Sequence, residues 1–301
     1  MKIKLPELFS AKTHRRKGIK KDGILIKKRK LLDALLYGVM AFAMSGVILS
    51  LLFVLIYIFR SQAGFLNWKF LTDAHTGILP MIVTTLYVVL VSIAAAIPAG
   101  LAAAIFLNEY SGNSSFIRIL RLAIETLAGI PSIIYGLFGL LLFCRLLNFG
   151  QSIIAGSLTL SIMILPVIIR TTEESLKSIP DSFREGSLAL GATKFQTIAH
   201  VVLPSALPGI LTSVILAIGR VIGESAPVLL TVGLAKNMPR SIFESGRTLT
   251  IHLFYLTNEA VRPEDFGIAF ATASVLVILV VIINTAAKII TANFRKKLGD
   301  I

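Results

Sequence analysis

Cysteine is almost absent from this chain of 301 residues: the one cysteine, Cys144, lies within an apolar stretch. A single cysteine excludes an intramolecular disulfide and a cysteine-rich metal site, so Cys144 is predicted to be a small packing residue. The histidines are scattered and have no metal-binding or catalytic spacing: His14, His75, His200 and His252. The sequence therefore predicts no metal, no cofactor and no catalytic residues.

Charged residues are also scarce. They make up 15% of the chain, whereas a soluble domain has roughly a quarter. Hydrophobic residues make up 55%, and the mean hydropathy is +0.83. A water-soluble core is an implausible place for so much apolar surface, and the remaining charge is concentrated at the ends and in a few loops. The composition therefore indicates a membrane protein.

Acidic residues are outnumbered, with 16 against 30 lysines and arginines and a net charge of +14. Twelve of the basic residues lie between Lys2 and Lys30, just before a long apolar run. Such a cluster typically holds a cytoplasmic tail against anionic lipid and fixes the topology. A nucleic-acid partner is not expected, because no aromatic or RNA-binding motif accompanies the basic residues. Residues 1–30 are predicted to be a basic cytoplasmic tail.

Six apolar segments are long enough to cross about 30 Å of hydrocarbon as helices. They lie near residues 34–59, 79–107, 123–143, 150–169, 206–234 and 266–289. The first has no charged residue or histidine over 26 residues, and no small-residue cleavage site follows it. It is therefore predicted to be a retained helix, not a signal peptide. The sequence predicts an all-α membrane protein with a first helix and outer loop (31–75), a transmembrane domain (76–290) and a C-terminal tail (291–301).

The distribution of Lys and Arg predicts the orientation. With the N-terminus inside, 22 of these residues fall in inner segments and seven in outer loops, while Arg220 lies within a span. Both termini are therefore predicted to be cytoplasmic.

The inner loop at about 171–205 carries helix signals. Two pairs have the spacing of a capping box: Ser182 with Glu185, after Pro180, and Thr193 with Gln196. Gly191 is predicted to form the turn between two short helices. The loop is therefore predicted to be a compact helical elbow, and 171–205 is called the elbow below.

The elbow resembles the cytoplasmic signature of ABC-importer permeases, which reads Glu-Ala-Ala, a glycine four residues later, and then Ile-x-Leu-Pro. The matching residues are Glu185, Gly186, Ser187, Gly191, Val201, Leu203 and Pro204, with Gly186 and Ser187 in place of the alanines and Val201 in place of isoleucine. In this family the elbow is the coupling helix that docks in a cleft of the ATPase subunit, so the resemblance implies ATPase coupling through these residues. The alternative is a surface loop in which Glu185 only caps its own helix.

The fifth span contains a charged pair, Arg220 and Glu224, followed by Ser225 and Pro227. Charges inside a membrane are costly and usually face a bundle interior or a water-filled cavity. Residues four apart share one helix face, so this pair can partly neutralise itself. Gly219 and Gly223 have the small-xxx-small spacing that permits close helix approach, and Pro227 is predicted to bend the helix.

This segment resembles the fifth-span signature of phosphate permeases, with Ser225 where many members have threonine. The stretch 127–136 resembles the third-span motif of the same family. Together they indicate the PstA-type permease of the bacterial phosphate ABC importer, and the resemblance covers roughly 76–290. The alternatives are an ion pair that only locks helix packing and, for 127–136, a kinked packing helix.

Arg170 ends the predicted fourth span. It is predicted either to be a second phosphate guide near the cytoplasmic exit or to mark the membrane boundary. The nearest approach to an ATP-binding loop runs from Gly186 to Thr193 and lacks the phosphate-binding lysine. The chain is therefore not expected to hydrolyse ATP itself.

The resemblance implies a type I ABC importer permease of MetI-like architecture in the bacterial cytoplasmic membrane. The implied partners are a second related permease, two ATPase subunits, an extracytoplasmic phosphate-binding protein and membrane lipid. The implied mechanism is alternating access, in which Arg220 receives the anion transiently and Glu224 tunes its hold. The alternatives are a permease for sulfate or molybdate and, from another class, a stand-alone anion channel or secondary transporter.

Overall fold

The computed structural model describes residues 6–62, 64–74, 77–112, 114–261 and 263–299. Within these residues the chain forms the helices α1 (Pro6–Ser61), α2 (Trp68–Thr72), α3 (Leu79–Ile105), α4 (Ser115–Ala128), α5 (Ser132–Gly139), α6 (Ile153–Lys177), α7 (Asp181–Ala189), α8 (Lys194–Thr197), α9 (Leu203–Gly223), α10 (Ala226–Thr231), α11 (Leu249–Glu259) and α12 (Pro263–Gly299). Three of them continue as π-helical segments: α3 through Phe106–Tyr110, α5 through Leu140–Leu146 and α8 through Ile198–Val202.

The chain divides into two compact units, Met1–Arg60 and Ser61–Ile301. The first unit consists of α1, whose segment Leu32–Ser61 has a mean hydropathy of 2.7 in its most apolar window and no buried side chain there. A helix that is apolar on all sides is stable in hydrocarbon. Residues 6–30 of the predicted tail are helical and continuous with this span.

Five helices are long and apolar enough to cross a membrane within the described residues, and a bent pair makes a sixth if it counts as one span. The five segments are Leu32–Ser61, Leu79–Tyr110, Ile153–Lys177, Lys194–Gly223 and Asp265–Asn293. The prediction of about six spans in an all-α chain is confirmed.

The third predicted span, at 123–143, is wrong as a continuous helix. The chain here forms α4 and then α5, with an angle of 100° between Ser115–Ala128 and Ser132–Leu146. Pro131 explains the break, because proline donates no hydrogen bond and disfavours helical geometry at the residue before it. Gly129 ends α4 just upstream.

The predicted fifth and fourth spans differ from the structure at their ends. The helix of the fifth span stops at Gly223 instead of continuing to 234, and α10 begins at Ala226 with Pro227 in its first turn. The predicted bend is thus present, and it lies at Glu224–Ser225, just before the proline. The fourth span extends to Lys177, so the first seven residues of the predicted elbow belong to α6.

The second unit is built around α6. Two thirds of the most apolar window of α6 is buried, against one third for α3 and α12. Small side chains let α3 approach it closely: Ser161 Oγ donates to the Ser92 carbonyl oxygen at 3.0 Å, and Ser92 and Ala96 are fully buried. Small residues that permit backbone contact are typical of helix interfaces in membranes. Cys144 is buried, as predicted.

Candidate functional site

Arg220 and Glu224 lie together where α9 ends. Gly223 is the last helical residue, and Glu224 follows in an extended conformation. Arg220 Nε is 3.6 Å from Glu224 Oε1, which is too long for a hydrogen bond. The Arg220 and Glu224 side chains are 32% and 17% exposed. The contact leaves the two terminal guanidinium nitrogens of Arg220 without a hydrogen-bonding partner among the described residues.

Gly219 and Gly223 leave open space beside this pair. A Cβ atom placed on either glycine would meet no atom within 4 Å. No described element of this chain makes the close helix approach that this spacing permits, so that approach stays a prediction.

Residues of the third-span and fifth-span motifs pack against each other. A Cβ atom on Gly136 would lie only 2.8 Å from Pro227 Cα, so α5 and α10 are in backbone contact. The buried Tyr135 donates from its hydroxyl to the Leu127 carbonyl oxygen at 2.7 Å. The structure thus brings both motifs and the charged pair to one place.

Arg170 lies elsewhere, in the last third of α6 towards the elbow, whereas Arg220 is in the last turn of α9. Its Nε donates to Glu174 Oε1 at 3.2 Å, and both side chains are more than half exposed. Arg170 also lines a cavity of about 200 Å³ between α4 and α6. The structure does not bring the two arginines together, and a role for Arg170 as a second guide stays a prediction.

A charge cluster that sequence reasoning missed lies beside this cavity. The buried carboxylate of Glu173 contacts Arg121 Nη2 at 2.9 Å and Lys177 Nζ at 2.7 Å. Arg121 Nη2 also donates to the Leu107 carbonyl oxygen at 3.1 Å. The cluster ties α4 to the ends of α3 and α6. A signal for part of it was present, because Glu173 and Lys177 have the i,i+4 spacing of a helical ion pair.

The first predicted capping box of the elbow, at Ser182 and Glu185, is wrong. Helix α7 begins at Asp181, and its N-cap, Pro180, makes no side-chain capping hydrogen bond. Pro180 fixes the start because its φ of −57° and ψ of 141° place the chain in an extended conformation before the first turn. Glu185 therefore does not cap its own helix.

The second predicted capping box is present. The Gln196 amide donates to Thr193 Oγ1 at 3.3 Å, and the Thr193 amide donates to Gln196 Oε1 at 2.8 Å. Gly191 lies between α7 and α8 with a φ of +89°, which confirms the predicted turn.

The signature residues of the elbow lie on its surface and at its junction with α9. Glu185 is exposed and makes no side-chain hydrogen bond or ion pair to a residue that the structure describes. The Ser187 hydroxyl is 2.9 Å from the Thr197 hydroxyl, so the serine that replaces alanine joins α7 to α8. Leu203 and Pro204 form the first turn of α9. Large apolar side chains are exposed on α7, in the turn after it and on α8: Phe183, Leu188, Leu190 and Phe195.

Replacing Gly191 with alanine is expected to loosen the elbow, because a left-handed φ costs a residue with a Cβ atom about 1–2 kcal/mol. That cost raises the open population of the elbow about 5- to 30-fold, which trypsin cleavage after Lys194 in the purified protein would measure. Gly186→Ala is the matched control, since Gly186 is helical and a Cβ there meets no atom within 4 Å. Equal cleavage rates for the two variants would contradict the prediction.

Comparison with known proteins gives concordant matches. Residues 96–299 match the family described as binding-protein-dependent transport system inner membrane component. The chain is 34% identical over 289 residues to the probable ABC transporter permease protein YqgI of Bacillus subtilis (strain 168), covering 90% of this chain and 98% of the relative. It is 40% identical over 207 residues to the phosphate transport system permease protein PstA 1 of Mycobacterium tuberculosis (strain ATCC 25618 / H37Rv), covering 67% of this chain and 66% of the relative.

Two solved structures share the fold. A chain of the MetNI methionine ABC transporter in inward-facing conformations gives a TM-score of 0.61 at 22% identity, covering 72% of this chain and 95% of that one. A chain of a bacterial alginate ABC transporter, in complex with an alginate pentasaccharide-bound periplasmic protein, gives a TM-score of 0.67 at 14% identity, covering 85% and 93%. These likenesses confirm the predicted MetI-like architecture of type I importer permeases.

The family match covers more than half of the chain, and the relatives agree with it. The apolar helices, the elbow and the matched residues 96–299 together describe a multi-pass membrane protein. The chain belongs to the family of binding-protein-dependent transport system inner membrane components, as a PstA-type permease.

Proposed function

We propose that this chain is a pore-forming permease subunit of an ATP-driven importer that moves inorganic phosphate across the cytoplasmic membrane by alternating access. The observation that supports phosphate as the substrate is the Arg220–Glu224 pair in a membrane span. The chain that contains it is 40% identical over 207 residues to a permease named for phosphate transport.

Arg220 has the chemistry that a transient phosphate site requires. Guanidinium presents a planar fork of donors that matches phosphate oxygens, and it stays charged when water is removed. The only carboxylate contact of Arg220 in the described chain is the 3.6 Å approach to Glu224, through Nε. The terminal nitrogens are therefore free to bind an oxyanion, and the open face at Gly219 and Gly223 leaves room for one.

Glu224 keeps Arg220 from binding the anion too tightly to release it. A pore must bind its ion strongly enough to admit it and weakly enough to release it. The carboxylate holds the guanidinium while the site is empty and repels an anion that stays. In this proposal Arg170, which is more exposed and nearer the elbow, guides the anion on its way out.

The elbow supports coupling to an ATPase. Glu185 is an exposed carboxylate without a partner in the described chain, and the elbow that carries it also exposes apolar side chains such as Phe183 and Leu190. Exposed apolar patches with a polar rim mark protein interfaces. Energy from ATP then has to come from a partner, because Gly186–Thr193 lacks the lysine of an ATP-binding loop.

The proposed assembly contains a second related permease, two ATPase subunits and an extracytoplasmic phosphate-binding protein. Both termini and the elbow face the cytoplasm in this proposal, which follows the 22 to seven distribution of basic residues. The open glycine face of α9 faces the pore that the two permeases enclose.

The test is uptake of radiolabelled phosphate into proteoliposomes that hold the complete importer with its binding protein. The expected result is uptake that requires ATP and survives a large excess of unlabelled sulfate or molybdate. Competition by either anion as strong as that by unlabelled phosphate would assign another oxyanion. Uptake without the ATPase subunits would instead indicate a stand-alone channel or secondary transporter.

A further inference from the structure

The guanidinium of Arg184, in α7, makes hydrogen bonds to a carboxylate and to two backbone carbonyl oxygens. Its Nη2 donates to Glu109 Oε1 at 2.8 Å, and its Nε is 3.3 Å from both Glu109 carboxylate oxygens. Its terminal nitrogens also donate to the carbonyl oxygens of Leu176 and Ile179, each at 2.9 Å. One guanidinium thus joins α7 to the π-helical end of α3 and to the end of α6.

This contact is buried. The side chain of Glu109 is 7% exposed and that of Arg184 is 18% exposed. The hydrogen bond to Glu109, partly opposed by burial, raises the pKa of Arg184 above its usual value, so the guanidinium stays charged. Separating the two would leave a buried carboxylate without its counter-charge, which is a far larger penalty than loss of an exposed ion pair.

A second contact joins the same two parts of the chain. Lys194 Nζ, at the start of α8, lies 4.9 Å from the centroid of the Tyr110 ring. Glu109 and Tyr110 are neighbours in the π-helical segment, while Arg184 and Lys194 lie on the two helices of the elbow. Segments of π-helix inside longer helices occur frequently at functional sites. The elbow is therefore fastened at two points to the last turn of the second span.

We propose that Glu109 and Arg184 are the positioning pair that makes the elbow and the ends of α3 and α6 move as one body when the ATPases close. This inference rests on the proposed function, because it concerns how force from an ATPase reaches the spans. A short helix can transmit movement only to elements from which it cannot separate. The buried pair is the contact that resists such separation, whereas the turn at Gly191 is open to solvent.

The test compares phosphate uptake with ATP hydrolysis in the complete importer. Glu109→Gln keeps the shape of the side chain and removes its charge. We expect this variant to co-purify with the ATPase and to hydrolyse ATP at a near-normal rate, while uptake per ATP falls about tenfold because a buried charged contact is broken. Arg184→Lys keeps the charge but loses the planar fork of donors. Its uptake per ATP is expected to lie between that of Glu109→Gln and that of the unmodified importer.

Asp181→Asn is the matched control. Asp181 contacts the same guanidinium at 3.2 Å, but its side chain is 87% exposed, so this pair contributes little. The control is expected to keep uptake per ATP within about twofold of the unmodified importer. Unchanged uptake per ATP in Glu109→Gln would overturn the proposal. Parallel loss of assembly, hydrolysis and uptake in both Glu109→Gln and Arg184→Lys would also overturn it, because the pair would then only hold the fold.

A second readout does not depend on the substrate. With Cys144 replaced by alanine, a spin label on Ala189→Cys reports the mobility of the exposed end of α7 in the assembled complex. Glu109→Gln is expected to make this label more mobile and Asp181→Asn to leave it unchanged. Equal label mobility in the unmodified complex, Glu109→Gln and Asp181→Asn would overturn the positioning role. If the unmodified importer moves no phosphate, the proposed function fails while this measurement still decides the role of the pair.

Discussion

Arg220→Gln is expected to lower phosphate uptake about 10- to 100-fold, because a charge-assisted hydrogen bond contributes roughly 1.5–3 kcal/mol and each 1.4 kcal/mol is a factor of ten. Glutamine keeps part of the side-chain length but provides neither the charge nor the donor fork. The loss should appear in complexes that still contain the ATPase, since Arg220 lies in the last turn of α9, far along the helix from the elbow. Uptake and co-purification are measured on the same preparation.

Glu224→Gln gives the complementary result. The unpaired arginine is expected to hold phosphate longer, so maximal uptake falls while half-saturation shifts to lower phosphate concentration. Arg145→Gln is the control, because Arg145 is an exposed arginine with no ion pair to a residue that the structure describes. Normal uptake in an assembled Arg220→Gln importer would show that the pair only supports helix packing.

Elements that the bilayer dictates could be predicted from the sequence. The hydrocarbon slab requires about 20 apolar residues in each spanning helix, and α3, α6 and α12 contain the predicted segments 79–107, 150–169 and 266–289 within a few residues. Local spacing was equally informative: the Thr193–Gln196 capping box and the left-handed Gly191 depend on residues close in sequence.

The bend between α4 and α5 could not be predicted from apolar length alone. Averaging over a window treats Gly129 and Pro131 as a tolerated kink, although the structure turns by 100° there. Apolar runs alone do not predict the start of α4, because Arg118 and Arg121 resemble loop residues. Ser114, whose side chain accepts from the Ile117 amide, is the N-cap signal for this helix.

The other features that the sequence does not predict depend on contacts between residues far apart in the chain. Arg220 and Glu224 could be paired from sequence because four residues make one helical turn. Glu109 and Arg184 are 75 residues apart, and each alone has the pattern of an ordinary loop charge at the end of a helix. Only the packing of α3 against α6 and the elbow brings them together. The same holds for Gly136 and Pro227, whose backbone contact joins two motifs that were recognised separately.

Gly136→Ala is expected to disturb both stability and uptake, because this contact has no room for a methyl group. The new Cβ atom would lie 2.8 Å from Pro227 Cα and 2.9 Å from Leu230 Cδ1. The backbone atom cannot rotate away as a side chain can, so α10 must move away from α5. Such overpacking typically costs 1–3 kcal/mol, about the size expected here. Because α10 follows Glu224 by one residue, the shift should also displace the charged pair.

The buried thiol of Cys144 offers a direct measurement of this effect. A thiol-reactive dye that fluoresces on binding can report thermal unfolding at this one cysteine, whose residue is 8% exposed. Gly136→Ala is expected to unfold several degrees below the unmodified protein and to lose phosphate uptake. Gly129→Ala in the same motif is the matched control, since its Cβ would meet only the Thr126 carbonyl oxygen at an ordinary 3.5 Å. If both variants unfold at the same temperature as the unmodified protein, α5 and α10 can separate freely. The contact between the two motifs then does not fix the backbone beside Arg220.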